Sequence, residues 1–213
     1  MKIIKAGYEI MTPISDGGIN ELKFIERVGR TCYKSEDKIS DDGESAKRFV
    51  RMLIRNDHGA MLEHSTLTVR FIVDRGISHE IVRHRIASFA QESTRYCNYS
   101  GGKFDGEITV VAPITHMDDE EYLRWRASCE EAEKAYIALV AYGATPQIAR
   151  SVLPNSLKTE VIMTANYREW RNFFKLRTAK AAHPQMREVA VPLLAELKQR
   201  IPVVFDDITV EGC

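Results

Sequence analysis

Four kinds of feature are missing from this 213-residue chain, and each absence narrows what it can do. Its four cysteines, Cys32, Cys97, Cys129 and Cys213, stand far apart with no C-x-x-C pair. Neither a zinc ribbon nor a thioredoxin-like dithiol is indicated, and a reducing cytoplasm is the simplest setting. Its twelve glycines form no G-x-G-x-x-G and no Walker A, which excludes the usual dinucleotide-binding and P-loop folds. No apolar run approaches the ~18 residues of a membrane span, and Lys5 and Glu9 interrupt the N-terminus before a signal-peptide core can form. Charge of either sign is not in excess either: thirty Lys+Arg balance thirty Asp+Glu, so no global field draws nucleic acid or an anionic membrane. Any basic site must be local. The expectation is a single domain over 1–213, soluble and cytoplasmic, with no nucleic acid, membrane or metal among its partners.

Along the chain the periodicities predict a mixture of strands and helices. Residues 2–11 read as a first strand, followed by a loop from Pro13 to Gly18. A helix from Ile19 has Leu22, Ile25, Val28 and Cys32 on its apolar face, and a second carries Ala46, Phe49, Val50, Leu53 and Ile54. Both are expected to cover a sheet announced by Leu67, Val69, Phe71 and Val73, which alternate with Thr66, Thr68 and Arg70. Gly76 closes that strand, and 77–84 reads as a short helix with Glu80, Arg83 and His84 on one face. His79 and His84 resemble a zinc-protease pair but are five positions apart, which turns them about 140° away from each other, so zinc is rejected. After a strand over 107–112, a long helix starts at Asp118 with a capping box to Glu121 and a Tyr122, Trp125, Cys129, Tyr136 stripe expected in the core. A short helix follows Pro146, a strand covers 157–164, and Asn166 caps a helix with Glu169 completing the reciprocal bond. Trp170, Phe173, Phe174 and Arg177 share one face of it, so an arginine takes a core position. A last helix begins at Pro184 and contains Pro192, where a kink is expected.

The chemistry concentrates between Arg83 and Tyr96: Arg83-His84-Arg85-Ile86-Ala87-Ser88-Phe89-Ala90-Gln91-Glu92-Ser93-Thr94-Arg95-Tyr96. Arginine forks suit phosphate oxygens, and Gln91, Glu92, Ser93 and Thr94 can address the edge of a heteroaromatic ring. A solvated charged face is the plain alternative. The interleaved Ile81, Val82, Ile86 and Phe89 speak against it, because they imply a half-buried backbone on which guanidinium groups need anionic partners.

The spacing Arg-His-Arg, seven residues, then Ser, resembles the signature of the flavin-dependent thymidylate synthases, the ThyX family. His64, Glu80, Arg150 with Leu153-Pro154-Asn155, and Thr164 through Arg168 to Asn172 and Arg177 resemble further blocks in the same order. The resemblance implies an α/β fold of α+β type, a mostly antiparallel sheet flanked by helices, assembled as a homotetramer with sites at subunit interfaces. It implies that dUMP is methylated to dTMP, with methylenetetrahydrofolate as carbon donor and NADPH-reduced FAD as hydride source. Glu80, Ile81, Val82, Arg83, Gln91, Glu92, Ser93, Thr94, Arg95, Arg150 and Arg177 then match the dUMP site, with Arg177 activating the uracil ring. His64, Thr66, Arg83, His84, Arg85, Gln91, Asn166, Tyr167, Arg168 and Asn172 match flavin positions. Cys97 reads as structural, since the family uses no cysteine nucleophile. The chain departs from many members at Ala90-Gln91, where they carry Asn-Glu. A hydroxymethylating enzyme on the same fold, and an RNA- or nucleotide-binding module, are the alternatives.

Overall fold

The alternation of Leu67, Val69, Phe71 and Val73 produces the strand it predicts: in the computed structural model, which describes residues 1–113 and 117–210, all four side chains are buried. In chain order the elements are β1 (Lys2–Ile4), β2 (Gly7–Ile10), α1 (Ile19–Thr31), α2 (Glu44–Arg55), β3 (Thr66–Asp74), α3 (Arg75–Ile81), β4 (Ala87–Gln91) and β5 (Thr109–Val111). They continue with α4 (Asp119–Ala141), α5 (Pro146–Ala149), β6 (Lys158–Asn166), α6 (Tyr167–Arg177) and α7 (Pro184–Arg200).

Four strands pair in the order β2-β3-β6-β4. Their sense is antiparallel. Tyr167 N donates to Ser65 O, and the Thr68 and Thr164 hydroxyls meet at 2.9 Å, so numbers rise along β3 as they fall along β6. Glu9 pairs with Arg70 while Met11 N donates to Thr68 O, which gives β2 the same sense against β3. The fold is thus mixed α/β with an antiparallel sheet and helices. The single strand expected over 2–11 is in fact two. The chain breaks at Lys5-Ala6, and β1 leaves the larger sheet to pair in parallel with β5, Lys2 opposite Thr109 and Ile4 opposite Val111.

The chain divides into two compact units. The first comprises Met1–Gly7, Phe71–Arg83 and Phe89–Ile162. Its core gathers Tyr99, Ile108, Val110, Cys129, Tyr136, Ala149 and Leu157. The capping box opens α4 as expected: Asp118 Oδ1 accepts from Glu121 N at 2.9 Å and Glu121 Oε2 accepts from Asp118 N at 3.0 Å. Cys129 and Tyr136 on its stripe are buried and Trp125 is half-buried, with its indole N–H donating to Ser156 Oγ at 2.8 Å.

The second unit comprises Tyr8–Arg70, His84–Ser88 and Met163–Cys213. Here α1 and α2 approach so closely that a Cβ on Gly29 would lie 2.5 Å from the Phe49 ring. The apolar face of α1 differs from the expected one. Leu22 and Ile25 are buried, but Cys32 lies beyond the helix end and is exposed, while Glu26 is fully buried. Its charge is met by Arg30 Nη2 at 2.8 Å and by Ser45 Oγ of α2 at 2.7 Å, as a buried carboxylate requires. Trp170, Phe173 and Phe174 fill the core under α6. The buried arginine of that helix is Arg171, not Arg177: its guanidinium donates to Val204 O and grips the Asp207 carboxylate at 2.6 and 2.7 Å. The tail after α7, unreadable in the sequence, inserts Ile201, Val203, Val204 and Phe205 into the interior. Cys213 lies outside the described residues.

Candidate functional site

In the first unit, β3 ends at Asp74, whose Oδ1 accepts from Ile77 N at 2.8 Å and caps α3, so Gly76 sits inside the helix instead of closing the strand. The helix then stops at Ile81. Glu80, Arg83 and His84 therefore do not share a helical face, because Arg83 and His84 lie past its C-terminus. Ile81 is fully buried and Val82 half-buried, which leaves Ile81 with no side-chain surface for a ligand; Arg83 is exposed.

On and after β4, Gln91 and Glu92 are anchored within the unit. Gln91 Nε2 donates to Ser78 Oγ at 2.9 Å, and the Glu92 carboxylate accepts from Tyr99 OH at 3.1 Å and Lys158 Nζ at 3.0 Å. Burial first, and then the Glu92 charge, push the Tyr99 phenol well above its ordinary range, so it stays a donor. Arg75 Nη1 adds a bond to Glu92 O at 3.3 Å. A turn follows in which Ser93 O accepts from Tyr96 N and Cys97 N, and Ser93 Oγ from Arg95 N at 3.3 Å. Thr94 is buried and its hydroxyl accepts from Arg150 Nη1 at 3.2 Å, so the arginine after α5 does reach the signature turn. Burial and the Glu92 carboxylate raise the Cys97 thiol above its ordinary value, which keeps thiolate scarce at neutral pH.

Arg83, Arg85 and Arg95 are exposed, contrary to the half-buried wall expected from the interleaved apolar residues, and Arg150 is exposed as well. Ile86 is 83 % exposed, and water solvates guanidinium groups that would otherwise demand protein anions.

In the second unit, an open cleft of about 350 Å³ is lined by Glu63, Arg85, Ile86, Asn166, Arg168, Glu169 and Asn172. Three separate segments supply it. Arg168 Nη1 donates to Glu63 Oε1 at 2.6 Å, and Asn172 Nδ2 donates to both Glu169 oxygens at 3.2 Å. His64, ending a short 3-10 turn, and Thr66, opening β3, are both exposed. Tyr167 is fully buried and packs on Phe205.

Asn166 caps α6 as predicted, its Oδ1 accepting from Glu169 N at 2.9 Å. Glu169 does not return the bond. Its carboxylate instead takes His84 Nδ1 at 2.8 Å, while Arg177 Nε donates to His84 Nε2 at 3.0 Å. Arg177 is half-buried and joined to this network, its Nε facing the imidazole. Sequence reasoning missed Glu169, Arg75, Lys158 and Ser78. For Glu169 a signal existed, since it lies eight residues before Arg177 on one helical face.

Residues 19–203 match the Thy1 family, thymidylate synthase complementing protein. A flavin-dependent thymidylate synthase of Corynebacterium aurimucosum is 33% identical over 211 residues, covering 91% of this chain and 82% of that one. Another, from Mycolicibacterium vanbaalenii, is 32% identical over 213 residues, with 92% and 82% covered. Among solved structures, the UMP/dUMP methylase PolB from Streptomyces cacaoi, bound with 5-Br dUMP, has a TM-score of 0.78 at 24% identity over 97% of this chain and 96% of that one, a likeness of fold. The chain is of the class that the Thy1 family describes. It belongs to the Thy1 family, and the resemblance read from Arg83 to Tyr96 holds.

Proposed function

We propose that the protein is a flavin-dependent thymidylate synthase, converting dUMP to dTMP with methylenetetrahydrofolate as carbon donor and NADPH as reductant. The observation that carries the reading is the cleft beside α6. It gathers Arg85, Asn166, Arg168 and Asn172, four of the residues that the signature allots to flavin, from distant parts of the chain. Two guanidinium groups and two amides provide donors for phosphate and ring oxygens, and the exposed Ile86 provides an apolar face, so the donor set fits FAD without a dinucleotide motif. Reduced FAD, when bound there, supplies the hydride.

The chain's own residues do the rest. Arg83, Arg95 and Arg150 neutralise the dUMP phosphate, with Ser93 and Thr94 as hydroxyl partners on the signature turn. Arg177 stabilises the negative charge that builds on the uracil edge as C5 becomes nucleophilic. Gln91 and Glu92, tied to Ser78, Tyr99 and Lys158, hold that turn in place. Cys97 takes no covalent part. The working form is a homotetramer in the cytoplasm with sites at subunit interfaces, residues 1–213 acting as one catalytic domain.

The test is spectroscopic. The purified protein, loaded with FAD, is expected to bleach with NADPH and to turn yellow again anaerobically when dUMP and methylenetetrahydrofolate are added, with dTMP the product by mass spectrometry. A protein that binds no flavin overturns the proposal, and a hydroxymethylated product overturns the assigned reaction.

A further inference from the structure

Glu169, Phe173 and Arg177 fall at i, i+4 and i+8 of α6, so one helical face presents a carboxylate, a ring and a guanidinium over a span of about 12 Å. His84 lies along that line. Its Nδ1 is 2.8 Å from Glu169 Oε1, its Nε2 is 3.0 Å from Arg177 Nε, and its ring centroid is 4.8 Å from that of Phe173. The residue is 4 % exposed. Glu169 is fixed in turn by Asn172 at its oxygens and by the Asn166 cap at its amide.

A carboxylate only accepts and a guanidinium only donates. One assignment of the imidazole satisfies both neighbours, with the proton on Nδ1 and the lone pair on Nε2. An imidazolium would set an Nε2–H against the Arg177 Nε–H at 3.0 Å, two donors of like charge. Both ring nitrogens are engaged within the protein.

We propose that His84 is a positioning residue: as a neutral imidazole locked by Glu169, it holds the guanidinium of Arg177 in one orientation. The role rests on the reading of Arg177 as the uracil-activating arginine. The charged groups facing the ring are Glu169 and Arg177 of α6, and Arg85, next in the chain, reaches the His84 carbonyl at 3.5 Å. Burial is the main influence holding the imidazole below its ordinary value of 6.5; the Glu169 bond pulls upward and the Arg177 charge adds to the lowering.

Nitrogen NMR of the unaltered protein tests the geometry without turnover. The expected result is an Nδ1–H, Nε2-unprotonated His84 that stays neutral from pH 8 to below its ordinary value. An Nε2–H tautomer, or an imidazolium at neutral pH, overturns the proposal. Two variants test the consequence. His84→Phe keeps a ring and removes the acceptor, and is expected to lower kcat by about 10²-fold, the scale of a small misplacement of a catalytic group, with the dUMP KM nearly unchanged. His84→Gln places an amide oxygen near the Nε2 position, and is expected to recover about tenfold of that loss while losing the acid limb of the kcat–pH profile. Equal rates for the two variants, or an unchanged acid limb in His84→Gln, overturn the role. If Arg177→Ala keeps its rate, the reading of Arg177 falls; if Arg177→Ala is inactive while His84→Phe turns over normally, the positioning role falls alone. Should His84→Phe not fold, as near-UV circular dichroism reports, the NMR tautomer and His84→Gln decide.

Discussion

Replacing Asp207 by alanine strands a buried cation, and the size of that effect separates two views of the Arg171–Asp207 pair. The Arg171 side chain is 10% exposed and that of Asp207 is 50% exposed. Removing the carboxylate leaves the guanidinium in the interior with Val204 O as its remaining described acceptor. Losing one partner of a buried pair destabilises by 3–5 kcal/mol, and the half-exposed position of Asp207 puts this case near or below the lower end, about 2–3 kcal/mol. Arg171→Met is different. It fills similar volume with apolar atoms, returns Asp207 to water and deprives one carbonyl of a donor, for a loss of about 1 kcal/mol. At roughly 2–4 °C per kcal/mol for a chain of this length, Asp207→Ala should lower the melting temperature by about 4–12 °C and Arg171→Met by about 2–4 °C. Far-UV circular dichroism melts and urea titrations measure both, and the double variant should resemble Arg171→Met. An Arg171→Met loss equal to or larger than that of Asp207→Ala would refute the asymmetry. The pair also carries a pH dependence. Its bonds from Arg171 hold the Asp207 carboxyl below its ordinary 3.8, so the folded state binds its proton less readily than the unfolded chain. The contribution is present above that value and fades as pH falls below it.

Arg177→Ala should reduce kcat by about 10²–10³-fold, the loss that follows removal of one charge-stabilising donor, with flavin absorbance retained; a near-normal rate of dTMP formation would remove Arg177 from its role. Ser45→Ala takes a hydroxyl from the fully buried Glu26 carboxylate and should cost about 2 kcal/mol in urea unfolding, and a change within error would mean that Arg30 alone satisfies Glu26. The Tyr8 hydroxyl, partly buried and donating to Glu196 at 2.9 Å, is pushed up to about 12. Its folded value exceeds the unfolded one, so its stabilisation is complete below pH 10 and disappears as pH rises through about 12. Ultraviolet titration of Tyr8→Phe against the parent should show one late-titrating phenol fewer, and no difference would contradict the assignment.

Short-range pattern alone is enough to specify the local elements and the chemistry of the signature. Alternation of period two wrote β3 and β6, and the Asp118 and Asn166 caps wrote the starts of α4 and α6, because these depend on a residue and its neighbours three or four positions away. The family could be read from Arg83 to Tyr96 for the same reason: the recognition groups are consecutive in the chain. The partners of each side chain, by contrast, depend on long-range contacts. Glu169, three residues after a cap, has two possible uses, and the arrival of His84 from 85 positions away assigns its carboxylate to the imidazole. Arg171 and Arg177 look alike in sequence, yet a tail with no periodicity brings Asp207 to the first and buries it, leaving the second beside His84. Ile81 and Tyr167 lie within signature blocks, and their side chains are buried. A local pattern fixes which way a side chain points, whereas the depth of its burial and the identity of its counter-charge are set by segments far away in the chain.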